Sequence, residues 1–111
     1  MPLTLEPLLQ KIIGIIVREL NPQQVILFGS YARGTASGAS DLDFLIIQDR
    51  PFGPGESRRR QMAKVWRLLA HYPISQDLLL YTPAEIEEWR DSRNHVIGRA
   101  LREGKLLYER S

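Results

Sequence analysis

The residues best suited to chemistry lie in one short stretch: Phe28-Gly29-Ser30, ten residues, then Asp41-Leu42-Asp43-Phe44. Val25 to Phe28 is an apolar run that reads as a buried strand, and Gly29-Ser30 ends it before Tyr31-Ala32-Arg33, which starts a helix. Glycine lets backbone approach a ligand closely, and the first N–H groups of a helix have no internal acceptor, so this turn offers donors to phosphate oxygens. Ser30 adds a hydroxyl. The same turn also fits an ordinary strand-to-helix connection. Leu42 to Ile47 (LDFLII) is strand-like, and alternation sends Asp41 and Asp43 to one side while Leu42 and Phe44 face the core. Two adjacent carboxylates beside an apolar sheet repel unless a cation neutralises them. Mg²⁺ suits the position, because it is usually held by one or two carboxylates together with substrate phosphates. Otherwise Asp41 caps a turn and Asp43 sits exposed at a strand edge.

In-line displacement on phosphate over two metals needs ligands for both and a base near the attacking hydroxyl, so a third acid is expected. Between Glu56 and Glu85 the only carboxylate is Asp77, at the head of the strand-like run Asp77-Leu78-Leu79-Leu80-Tyr81. A strand placed beside Leu42 to Ile47 brings Asp77 to the acid pair. Read by itself, Asp77 equally marks a strand start.

Taken together, a hydrophobic-Gly-Ser turn, a ten-residue gap, Asp-hydrophobic-Asp-hydrophobic and an isolated acid on a later strand resemble the DNA polymerase beta-like nucleotidyltransferase superfamily. Within it, GSYARGTASGASDLDFLI is most similar to the minimal nucleotidyltransferases, small proteins usually paired with a HEPN-domain partner. The likeness covers most of the chain, with one departure: Gln76 stands where the family usually has a hydrophobic residue. The resemblance implies an α+β fold with a small mixed sheet flanked by helices. It also implies two Mg²⁺ ions held by Asp41, Asp43 and Asp77, and a nucleotide, ATP by analogy, held by Gly29, Ser30 and Arg33. The implied activity is transfer of AMP to a tyrosine hydroxyl of a HEPN toxin, making this chain the antitoxin of a hetero-oligomer. Other readings are an antitoxin that neutralises by binding alone, and transfer to an RNA or small-molecule acceptor.

Composition agrees. A chain of 111 residues suits a single domain over 1–111, long enough for one core and too short for a separate acceptor-binding domain, so the acceptor is expected from a partner. With 43% hydrophobic and 25% charged residues it belongs to the globular class, and the absence of cysteine excludes disulfides and thiolate zinc sites. No apolar run approaches the roughly 20 residues of a membrane span, and the N-terminus lacks the basic start of a secretory signal, so a cytoplasmic location is expected. A net charge of +2 does not call for direct nucleic-acid binding. Arg58-Arg59-Arg60, Lys64 and Arg67 read as the solvated face of a helix whose apolar side is Met62, Val65, Trp66 and Leu69.

The supporting elements follow from periodicity and punctuation. Thr4 caps a first helix with Leu5, Leu8, Leu9, Ile12, Ile13, Ile16 and Leu20 at helical spacing, ended by Asn21-Pro22. Asp49 to Glu56, with two prolines and two glycines, is a loop expected beside the site. A middle helix spans Ser57 to Tyr72, and Thr82-Pro83-Ala84-Glu85 forms a capping box that opens a helix through Trp89. Ser92 to Glu103 is a last helix stopped by Gly104, and Lys105 to Glu109 a final strand. His71 and His95 read as surface or capping residues, and Trp66 and Trp89 as packing residues. Arg33, one turn after Ser30, suits either a phosphate contact or an ion pair with a nearby acid.

Overall fold

Leu9, Ile12, Ile13, Ile16 and Leu20 recur at spacings of three and four, and in the computed structural model they form the buried stripe of helix α1 (Leu5–Leu20). The structure describes residues 5–37, 40–54 and 57–110, so the cap expected at Thr4 lies outside the described residues. Asn21 takes a positive φ of 45° and ends the helix, leading into strand β1 (Gln24–Phe28). A single helical turn, α2 (Ser30–Arg33), follows directly. Next come β2 (Leu42–Ile47), helix α3 (Arg58–Leu69), β3 (Gln76–Tyr81), helices α4 (Pro83–Trp89) and α5 (Val96–Glu103), and β4 (Lys105–Glu109).

The four strands form one mixed sheet in the order β3-β2-β1-β4. β1 runs antiparallel to β2 and to β4, whereas β2 and β3 are parallel and are joined by the crossover through α3 that parallel pairing requires. Helices cover both faces. Val25, Leu27, Leu42, Phe44, Ile46, Leu78 and Leu80 pack with α1 and α3, while Ile26, Phe28, Leu45 and Ile47 pack with Ile86 of α4 and Ile97 and Ala100 of α5. This double cover explains why β2 is buried at every residue except Asp43 rather than at alternate ones. The expected α+β architecture is the one observed.

Two boundaries and one packing position differ from the sequence reading. α3 ends at Leu69 rather than Tyr72, because Pro73 disfavours helical backbone at Tyr72, and the Tyr72 N–H closes a tight turn on the Leu69 carbonyl at 3.1 Å. α5 starts at Val96 rather than Ser92: His95 Nδ1 accepts from the Ile97 N–H at 3.1 Å and serves as the cap, as expected of a capping histidine. Trp66 is 45% exposed and so lies off the apolar side of α3. The capping box at Thr82 and Glu85 is present, with Pro83 in the first turn. Among the described residues no helix is long and apolar enough to cross a membrane.

Candidate functional site

Strand register assembles the site. Phe28, the last residue of β1, pairs with Asp43, and Asp43 pairs with Asp77 on the parallel neighbour. Alternation puts Asp43 and Asp77 on the sheet face covered by α5, at the end where β1 hands the chain to Gly29 and α2. Gly29 is held at φ 76° and ψ −158°, a conformation open essentially to glycine alone. A Cβ at this position would also overlap Asp43 Oδ2, so the backbone of the turn rests directly on the carboxylate. Both requirements select glycine, and together they put the amides of Ser30 and its neighbours beside Asp43. Because α2 has only four residues, its dipole is small; the turn offers its unpaired N–H groups and the Ser30 hydroxyl instead.

Gly29, Ser30, Arg33, Asp43 and Asp77 line one open cavity of about 590 Å³, with Phe28, Leu79, Val96, Arg99 and Glu103 completing the wall. Asp41 stands exposed one residue before β2 and outside that wall. It still acts on the site: Asp43 is held above the usual carboxylate range by burial first, then by the charges of Asp77 and Asp41, with Arg33 opposing. Arg33 pairs with Glu103 at 3.2 Å, both side chains being half exposed, so the ion-pair reading of Arg33 is the one observed. A second opening of about 530 Å³ is lined by Arg90, Asp91, Arg93 and Arg102 and has neither the acid pair nor the glycine turn.

Sequence reasoning missed Arg99 and Glu103. Val96, Arg99 and Glu103 are spaced to share one face of α5, while Ile97 and Ala100 mark its buried side, so the pattern was visible. That this helix packs on β1 is a tertiary fact without a local signal. The loop after β2 is likewise not beside the site. It leaves the opposite end of the strand, roughly 13 Å of β rise from Asp43, and Phe52 anchors it against the core.

The donor set suits a divalent cation that shares its ligands with phosphate. Among the described residues no three His, Cys, Asp or Glu side chains close on one point to hold a metal by themselves. Two neighbouring carboxylates, one of them kept reluctant to ionise by burial and then by the charge of the other, are nevertheless a pair whose repulsion a bound cation would relieve. Gln76, the departure from the family pattern, ties down the turn before β3: its Nε2 donates to the Ile74 carbonyl and, at 3.5 Å, to that of Leu69.

The family profile of the nucleotidyltransferase domain matches residues 9–106. The chain belongs to this nucleotidyltransferase domain family. No curated protein matches it significantly. Among solved structures, a putative nucleotidyltransferase from Sulfolobus solfataricus is similar at 21% identity and TM-score 0.60, over 94% of this chain and 79% of that one. A toxin-antitoxin structure with AMP-PNP is similar at 22% identity and TM-score 0.57, over 91% and 73%. A mutant of the toxin-antitoxin MntA-HpeT, with two aspartates two positions apart replaced by glutamate, is similar at 20% identity and TM-score 0.57, over 92% and 73%. These likenesses agree with the fold of the nucleotidyltransferase domain.

Proposed function

We propose that this nucleotidyltransferase moves the AMP portion of ATP onto a tyrosine hydroxyl of a HEPN-domain toxin and is that toxin's antitoxin. The observation that carries the reading is the register Phe28–Asp43–Asp77, which sets two carboxylates beneath a glycine turn at the mouth of one cavity. Similar folds come from toxin-antitoxin structures, one of them with an adenine nucleotide analogue, and the aspartates altered in another share the spacing of Asp41 and Asp43.

In this mechanism the N–H groups after Gly29 and the Ser30 hydroxyl hold the β and γ phosphates. Asp41, Asp43 and Asp77 are the residues that would hold Mg²⁺, which when bound offsets phosphate charge near the reacting phosphorus. Asp77 accepts the proton of the acceptor hydroxyl. The oxygen bonds to the α phosphorus as the bond from that phosphorus to the bridging oxygen breaks, and pyrophosphate leaves. The chain's work is chiefly positioning and electrostatics.

The experiment is to incubate the chain with ATP, Mg²⁺ and the protein encoded beside it, then map the modified residue by mass spectrometry. AMP on a tyrosine of the neighbour is expected. An unmodified neighbour that still binds this chain, and is still neutralised by an Asp43→Asn variant, would replace the enzymatic reading with neutralisation by binding.

A further inference from the structure

The cavity is lined by charges of both signs. Asp43 and Asp77 line it from the strands, Arg33 from α2, and Arg99 and Glu103 from α5. The two arginines are held differently. Arg33 is engaged by Glu103 at 3.2 Å, whereas the exposed Arg99 guanidinium, one helical turn from Glu103, has no hydrogen-bond or ion-pair partner among the described residues. An arginine left unpaired on a cavity wall that already holds a carboxylate needs an explanation.

The chemistry of a nucleoside triphosphate supplies one. Charge near the reacting phosphorus would be offset by the cation that Asp41, Asp43 and Asp77 would hold, but charge also builds on the departing pyrophosphate, and it has to be met by donors already in place. A guanidinium is permanently charged, forked and matched to phosphate oxygens. We propose that Arg99 binds the pyrophosphate end of the nucleotide together with Arg33, and that Glu103 occupies Arg33 as a resident anion until those phosphates displace it. This rests on the nucleotidyl-transfer reading and adds two residues to it. Glu103 thereby lowers affinity for any polyphosphate that cannot displace it, and Arg99 makes the site selective for nucleotides carrying the terminal phosphates over monophosphates.

The test is calorimetric titration of inorganic tripolyphosphate, ATP and AMP, at fixed Mg²⁺, into the wild-type chain and the Arg99→Ala, Arg99→Lys and Glu103→Gln variants, with thermal unfolding measured for each. Arg99→Ala is expected to weaken tripolyphosphate and ATP roughly tenfold while leaving AMP and the melting temperature unmoved. Arg99→Lys should restore part of the loss, and Glu103→Gln should tighten tripolyphosphate several-fold. Unchanged ATP and tripolyphosphate binding in Arg99→Ala, from a chain whose wild type transfers AMP, overturns the role of Arg99 and spares the reading of function. Unchanged or weaker binding in Glu103→Gln overturns the resident-anion role. Arg99-dependent tripolyphosphate binding in a chain that modifies no acceptor keeps the phosphate site and overturns the reading of function.

Discussion

Two charged clusters in this molecule are built to opposite ends. Around Glu85, the carboxylate is fully answered. Arg58 reaches its two carboxylate oxygens at 2.6 and 2.5 Å, the Thr82 N–H donates at 3.0 Å, and the Arg58 guanidinium lies over the rings of Phe52 and Tyr81. Burial by itself would raise the Glu85 pKa, but these hydrogen bonds and the charge of Arg58 outweigh it and hold the carboxyl below its ordinary value. Around Asp43 the reverse holds: burial, Asp77 and Asp41 push its carboxyl up, and only Arg33 pulls against them. The first cluster is a latch that fixes α3, α4 and the end of β3 to one another. The second spends stability on one carboxylate that burial and two like charges oppose, the kind of cost that functional sites carry.

That contrast can be broken at several points. The largest expected effect is at Gly29, where alanine would need a strained backbone and would collide with Asp43. Gly29→Ala should lose transfer and about 1–3 kcal/mol of stability, read by activity assay and denaturant unfolding. Asp43→Asn should lower transfer by about 10³-fold yet melt at the wild-type temperature or above it at neutral pH, because it removes a repelled charge. A marked fall in melting temperature would show that Asp43 is structural.

Arg58→Ala should do the opposite, costing about 1–2 kcal/mol after allowing for the partial exposure of the pair while leaving transfer within a few-fold. The smallest effect is in pH dependence. The folded pKa of Glu85 is depressed, so its contribution is full above the ordinary glutamate pKa and is lost as pH falls through the lower folded value. The folded pKa of Asp43 is raised, so its penalty is full at neutral pH and fades as pH falls through that raised value. Melting temperatures of Glu85→Gln and Asp43→Asn should therefore both converge on the wild type at acidic pH, from below and from above respectively.

Much of this was legible in the chain because the decisive signals were local. Alternation around Asp43 and the glycine turn specified the acid strand, and β4 follows Gly104 as expected. The lone acid between Glu56 and Glu85 pointed to Asp77, which the register sets opposite Asp43. What the residues did not reveal depends on packing between distant elements. Arg58 read as one member of a solvated basic face, yet its partner lies 27 residues away on another helix. Arg99 and Glu103 belong to the cavity only because α5 settles on β1. Trp66 satisfied helical spacing but falls beyond the edge of the core, since spacing marks a face and not how far a neighbour extends over it.

The central claim is that the acid wall and the glycine turn transfer a nucleotide through its α phosphorus. The most direct measurement supplies ATP labelled on either the α or the γ phosphate, with Mg²⁺ and the neighbouring protein, to the wild-type and Asp43→Asn chains. Label is expected on the neighbour from α-labelled ATP only, with the γ label released in pyrophosphate and nothing transferred by Asp43→Asn. Transfer of the γ label, or transfer from the α position that survives Asp43→Asn, would contradict it.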